Sequence, residues 1–184
     1  RQGGRHSQGV ITSDVAVIGA GAAGAATAFH LADAGHSVTV LEAKAGPRIK
    51  PCGGGMAASV QSWFPFDLSP AVDDVIRRVD FSWCLEDPVV AELPGEAPFW
   101  IVSRERLDEL LLNQAMRAGA TLQRPFRVTK LERGDLGWRL TGDSDQRLET
   151  KAVVIADGSG SPWPSQLGIG PKSLHMARTV SVRL

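Results

Sequence analysis

The run Gly19-Ala20-Gly21-Ala22-Ala23-Gly24 limits what this chain can fold into more than any other feature. It follows Asp14-Val15-Ala16-Val17-Ile18, a short β-branched stretch of the kind that parallel sheets bury on both faces. It opens a mostly alanine stretch, Ala22 to Ala34, with Gly35 in the place of a helix C-terminus. Ser37 to Leu41 is β-rich again, so the pattern predicts strand, helix and strand, with a right-handed crossover to a parallel neighbour. Each glycine then has a mechanical task. The first permits the tight turn, the second lets backbone approach a pyrophosphate, and the third lets the helix pack closely on the strand. Amides at the helix start meet the phosphates at the positive end of the helix dipole. Glu42, ending the second strand, is placed to accept hydrogen bonds from a ribose, and an acid there disfavours a 2′-phosphate. Glycine turns after strands are common, and a carboxylate at a strand end is usually solvated. Here strand, helix, second strand and acid fall in register, which favours a dinucleotide site.

Two further glycine-rich loops are candidates for the same site. Ala156-Asp157-Gly158-Ser159-Gly160-Ser161 follows the apolar run Ala152 to Ile155, which would place Asp157 and Gly158 at the C-terminal edge of a parallel sheet, where ligands bind; a plain Asp-Gly turn is the other reading. Lys50-Pro51-Cys52-Gly53-Gly54-Gly55-Met56 exposes consecutive glycine amides that could hydrogen-bond a carbonyl-rich ring or a phosphate. Cys52 is either a reactive thiol or a small residue packing beside a cofactor, and the lack of a neighbouring His favours packing. Arg104 could reach an anionic ligand, although most arginines so placed are solvated. Trp63-Phe64-Pro65-Phe66 lines an apolar pocket or belongs to the core.

Elsewhere the pattern predicts helices over Met56–Trp63 and over Ser69–Arg78, the second entered through Pro70. Val79 to Leu85 alternates with Val79, Phe81, Trp83 and Leu85 on one side, as a half-buried strand outside the nucleotide sheet. Phe99–Val102 reads as a strand and Arg104–Ala118 as an amphipathic helix, with Leu107, Leu110, Leu111, Ala115 and Ala118 inward. Arg127–Leu131, Trp138–Thr141 and Gln146–Thr150, separated by Gly-Asp turns, predict a β-meander, and Ala152–Ala156 a separate returning strand.

Bulk properties remove several classes. The 184 residues suit one domain and carry 20 basic and 20 acidic side chains, so no global field gathers nucleic acid. The apolar stretch Val15–Leu31 contains Gly19, Gly21, Gly24 and His30 and does not read as a membrane span. Cys52 and Cys84 have no partner at metal-ligand spacing, which argues against zinc and for a reducing, cytoplasmic setting.

Taken in order, the Asp14–Glu42 unit, the Pro51-Cys52-Gly53-Gly54-Gly55 loop and Ala156-Asp157-Gly158 resemble the geranylgeranyl reductase family of FAD-dependent oxidoreductases. Arg104, Asp108 and Leu111 look like that family's Arg, Asp and Leu segment. The resemblance implies an α/β, Rossmann-like FAD-binding domain with a parallel sheet, helices and a β-meander insertion, followed by the start of a second domain. It implies that Gly19, Gly21, Ala22, Ala23 and Gly24 bind the FAD pyrophosphate and Glu42 the adenosine ribose. Cys52, Gly53 and Gly54 would lie by the isoalloxazine, with Arg104, Asp157 and Gly158 near the rest of the cofactor. The implied reaction reduces carbon–carbon double bonds of an isoprenoid substrate with hydride from NADPH or NADH through the flavin; the ring carries the chemistry and no side chain is singled out as catalytic. A lipid substrate of that kind calls for peripheral membrane contact, and no protein partner is indicated. A flavin monooxygenase or halogenase shares the first and third motifs, and a non-catalytic nucleotide-binding fragment is a further alternative. Members of the family are longer. The expected division is therefore a disordered leader at 1–11, an incomplete FAD/NAD(P)-binding domain at 12–170, and the truncated start of a substrate domain at 171–184.

Overall fold

The computed structural model describes residues 10–46, 50–96 and 98–171. In chain order the elements are β1 (Ile11–Ile18), α1 (Ala22–Asp33), β2 (Val38–Leu41), β3 (Gly55–Ala57), 3-10 turns at Ala58–Trp63 and Ser69–Ala71, β4 (Val72–Ile76), β5 (Arg78–Trp83), β6 (Glu86–Glu92), β7 (Phe99–Val102), α2 (Arg104–Arg117), β8 (Thr121–Gln123), β9 (Val128–Gly134), β10 (Gly137–Gly142), β11 (Arg147–Ile155) and α3 (Trp163–Gln166). Among the described residues no helix is long and apolar enough to cross a membrane. Two compact units result. One holds β1, α1, β2 and β8 to α3; the other holds β3 to β7; the boundary between them crosses α2 at Leu110 and Leu111.

The first unit is built on a six-stranded sheet in the order β8-β2-β1-β11-β10-β9. β8, β2, β1 and β11 run parallel, while β10 and β9 are antiparallel. Ala16, Val17 and Ile18 of β1 and Val38, Val40 and Leu41 of β2 are all buried, as their uninterrupted apolar runs require. α1 buries Gly24, Ala25, Ala28, Phe29 and Ala32, so its inner face is nearly all small residues. Gly35 ends it with φ +87°, and His36 donates back to the Leu31 carbonyl at 3.0 Å. A core of Ala16, Ile18, Leu41, Phe126, Leu140, Leu148 and Trp163 packs beneath the sheet. Each large side chain in such a core contributes roughly 1.5–3 kcal/mol.

Two features of this unit differ from the sequence pattern. β11 is one strand, Arg147–Ile155, not a meander strand followed by a separate one. Its first half pairs antiparallel with β10 and nearly its whole length pairs parallel with β1. Lys151 does not break it, because its side chain points to the surface and meets Asp14 at 2.7 Å. The meander is therefore part of the nucleotide sheet and no insertion. β1 also begins at Ile11, inside the expected leader, pairing with Leu148.

In the second unit β7 lies between β3 and β4 in an antiparallel sheet, and β5 and β6 form a separate hairpin. The helix expected over Ser69–Arg78 is instead a single 3-10 turn followed by β4. Pro70 starts the turn as foreseen, but the β-branched Val72, Val75 and Ile76 find strand partners on β7. Met56–Trp63 likewise divides between β3 and a 3-10 turn. Phe64 joins the core with Leu68 and Ala71, whereas Trp63 is 66% exposed. The hairpin corrects a further expectation: Phe81, Trp83 and Leu85 are 57%, 77% and 95% exposed, and the alternating strand is not half-buried. Leu107, Leu111 and Ala115 of α2 are buried as expected; Leu112 is buried too, while Leu110 and Ala118 are only partly so. Residues 1–9 of the expected leader and 172–184 of the expected substrate-domain start lie outside the described residues.

Candidate functional site

Parallel pairing brings the C-terminal ends of β1, β2 and β11 to one edge of the first unit's sheet. The chain leaves β1 toward β2 on one side and returns on the other side in β11, so the strand order reverses at β1. That crevice is where doubly wound sheets bind ligands. Gly19 stands at it with φ +100°, a conformation that side chains rarely adopt. A Cβ there would lie 2.6 Å from the Ala156 carbonyl oxygen and 2.8 Å from the Asp157 Cα. The two glycine loops expected to converge are thus adjacent.

Gly21 is the N-cap of α1, buried, with no side chain capping the helix and no acid in its first turn. The first amides of the helix lack intrahelical acceptors and sit at the positive end of its dipole. Ala22 and Ala23 begin that turn. Gly24 is closed against the loop, since a Cβ on it would meet the Gly19 carbonyl oxygen at 1.9 Å.

Glu42 is only 7% exposed, so it is not the solvated strand-end carboxylate of the plainer reading. Its Oε2 accepts from the Ala20 amide at 3.0 Å and its Oε1 from the Lys44 amide at 2.9 Å. Each carboxylate oxygen retains acceptor capacity for a ribose hydroxyl. Asp157 carries a second signal: its Oδ1 is buried without a hydrogen-bond partner among the described residues. A buried acceptor left unpaired is costly, so a hydroxyl of a bound ligand donating to it would be favoured. Gly158 follows it with φ +100° and is exposed. A dinucleotide fits this set: amides for the phosphates, carboxylates for hydroxyls, and a glycine turn that leaves backbone accessible.

A second cluster lies in the other unit. Gly54, with φ +75°, turns the Cys52 loop against β7; its carbonyl accepts from the Val102 amide at 2.9 Å, and a Cβ on it would lie 2.4 Å from the Val102 oxygen. Its own amide donates to Cys52 Sγ at 3.4 Å. Arg104 is not a solvated surface cation. It binds Asp108 through two hydrogen bonds, at 3.0 and 3.1 Å, one helical turn away. The Gly54 amide first, then the Arg104 guanidinium, hold the exposed Cys52 thiol below its ordinary value. Asp108 raises Arg104 further above its already high value. Gly53 is exposed, with open space where a side chain would point. The partnership of Arg104 and Asp108 was open to detection in their i, i+4 spacing. The Ala20 amide, 22 residues from Glu42, had no local signal.

The fold is that of the Rossmann-like, FAD-binding domains. Residues 14–78 match the family model of the FAD dependent oxidoreductases, DAO. The chain is 33% identical to the probable electron transfer flavoprotein-quinone oxidoreductase YdiS of Escherichia coli strain K12, over 87% of this chain and 40% of that protein. Its homologues also include digeranylgeranylglycerophospholipid reductase 1 of Methanosphaera stadtmanae, 28% identical over 87% of this chain and 41% of that protein. The chain thus spans about two fifths of the curated relatives it matches. Among solved structures, a geranylgeranyl bacteriochlorophyll reductase-like protein from Thermoplasma acidophilum shares the fold with a TM-score of 0.72 at 19% identity, covering 82% of this chain and 40% of that one. The halogenase PltM, solved with FAD and phloroglucinol, gives 0.69 at 22% identity, covering 85% and 36%. The resemblance read from the loops therefore holds among the relatives, and halogenases share the fold equally well.

Proposed function

We propose that this chain forms the FAD-binding part of an oxidoreductase that reduces carbon–carbon double bonds of an isoprenoid substrate, with NADPH or NADH as the electron source. The observation that carries the nucleotide assignment is the meeting of Gly19, Glu42 and Asp157, whose Oδ1 is buried without a partner among the described residues, at the open end of β1. The amides from Gly21 to Gly24 would hold the pyrophosphate, Glu42 the adenosine ribose, and Asp157 a further hydroxyl. When bound, FAD supplies two-electron hydride chemistry, which no side chain of the protein can provide. Cys52, Gly53 and Gly54 present a thiol and backbone amides in the second unit, with Arg104 locked by Asp108 beside the thiol. The isoprenoid part of the reading is supported by the Pro51–Gly55 loop and by the name of the Methanosphaera relative. Two exposed cysteines, neither in a disulfide, agree with a reducing, cytoplasmic setting, where a lipid substrate would require peripheral contact with a membrane.

A second reading, electron transfer to a quinone, is favoured by the 33% identity with the Escherichia coli protein. The likeness to PltM carries the fold alone. Titrating the purified chain with FAD tests the common core: saturable quenching of flavin fluorescence is expected, and Gly21→Val abolishes it by putting a branched side chain where backbone must approach phosphate. A wild-type chain that never binds FAD, or a Gly21→Val variant that binds it equally well, defeats the assignment. In the whole protein, anaerobic loss of an alkene supports the first reading, quinol formation the second, and an absolute need for oxygen a monooxygenase or halogenase.

A further inference from the structure

We infer that Glu42 is a positioning residue that holds the glycine loop in its phosphate-binding shape before any ligand arrives, an inference that rests on the dinucleotide reading and deepens it. Its main chain is fixed on both sides: the amide donates to the Gln123 carbonyl at 3.0 Å, and the carbonyl accepts from the Phe126 amide at 2.7 Å. From that anchored root the buried carboxylate reaches back to Ala20, between the first two glycines of the loop. The other oxygen is committed to the Lys44 amide, so the side chain is braced from two directions. A segment carrying Gly19, Gly21 and Gly24 has unusual conformational freedom to lose. A charge-assisted hydrogen bond to a loop amide opposes that freedom more strongly than a neutral one would. The same carboxylate retains lone pairs for ribose hydroxyls, so filling the ribose position and ordering the phosphate loop act through one group. Glutamine has the same shape but one acceptor oxygen and one NH2 group, which only donates. It can satisfy the Ala20 amide or the Lys44 amide, and must turn its own N–H groups on the other.

The test compares the wild-type chain with Glu42→Gln, by backbone amide hydrogen exchange without ligand and by titration with ADP and with 2′,3′-dideoxy-ADP, which lacks the ribose hydroxyls. The Ala20 amide is expected to be protected in the wild type. In the variant Ala20 or Lys44 exchanges about tenfold faster or more, the scale of one hydrogen bond to a charged group, while Val17 in β1 is unchanged. Affinity for 2′,3′-dideoxy-ADP falls about tenfold in the variant, as does affinity for ADP. Unchanged exchange at both amides, or equal dideoxy-ADP binding by the two proteins, overturns the inference and confines Glu42 to the ribose. Equal acceleration at Val17 also overturns it, because Glu42 would then be a general stabilising residue. Should the wild type bind neither nucleotide, the dinucleotide reading fails, and the exchange comparison still decides whether Glu42 holds the loop.

Discussion

Gly24 faces the carbonyl oxygen of Gly19 so closely that a single methyl group on it would stand 1.9 Å from that oxygen. The neighbour is backbone and cannot swing aside. Gly24→Ala is therefore expected to destabilise the chain by at least the ~1–3 kcal/mol of an overpacked core. Gly35→Ala meets no atom within 4 Å but must hold φ +87°, and is expected to cost about 1–2 kcal/mol through backbone strain alone. Gly46→Ala, in open space without a positive φ, should fall within about 0.5 kcal/mol of wild type. Urea midpoints for the three variants check the ranking, and a Gly24→Ala variant as stable as Gly46→Ala would contradict the packing.

The glycine loop and Glu42 were legible because a phosphate cradle makes local demands: a turn, an uncapped helix and an acid at a strand end all leave marks within one stretch of chain. Long-range partners leave none. The run before Asp157 places that loop at the sheet edge but not against Gly19, which β1 brings there by pairing with β11, and the alternation of residues 79–85 announces an amphipathic strand without saying what covers it. β4 was misread for the same reason. Pro70 suits a helix start, and only pairing with β7 decides for a strand. β8 is too short, at three residues, to show any period, yet it extends the sheet beside β2.

Cys52 should react as a thiol that ionises below the ordinary range. In a Cys84→Ser background, its alkylation by iodoacetamide is expected to stay fast at pH values where an unperturbed peptide thiol, with a pKa of about 8.5, is largely protonated. Arg104→Gln moves the midpoint of the rate profile upward. It does not return it fully, because the Gly54 amide is the larger cause and survives the substitution. A profile for Arg104→Gln superimposable on that of Cys84→Ser alone would show that the guanidinium has no part in it.

Asp14, in the middle of β1, links that strand to β11 and to the residue before β2, accepting from the Ser37 amide at 3.0 Å and from Lys151 at 2.7 Å. Lys151 first, then the Ser37 amide, hold its carboxyl below the usual carboxylate value. A group whose folded pKa is depressed stabilises the fold above its unfolded pKa, and that stabilisation is lost as pH falls through the folded value. Asp14→Asn is thus expected to be less stable than wild type at pH 7, with the gap shrinking below about pH 4 and closing at lower pH. Urea midpoints at pH 7, 4, 3 and 2 read this directly, and a gap that widens toward acid would refute the assignment.

Trp83 stands on the apolar side of the β5–β6 hairpin, in line with Phe81, which pairs with Val89 across the strands. Its alternation with Phe81 suggests a core residue, yet with most of its surface in water there is little apolar burial to lose. Trp83→Ser is expected to change stability by less than about 0.5 kcal/mol, whereas Phe126→Ala, in the packed core of the first unit, should cost about 3–5 kcal/mol. A contiguous apolar face of this kind binds hydrophobic dyes. Removing Trp83 and Phe81 together should lower dye fluorescence without shifting the unfolding midpoint of the chain. A large loss of stability in Trp83→Ser would mean that the indole is packed in solution and that the hairpin face is covered.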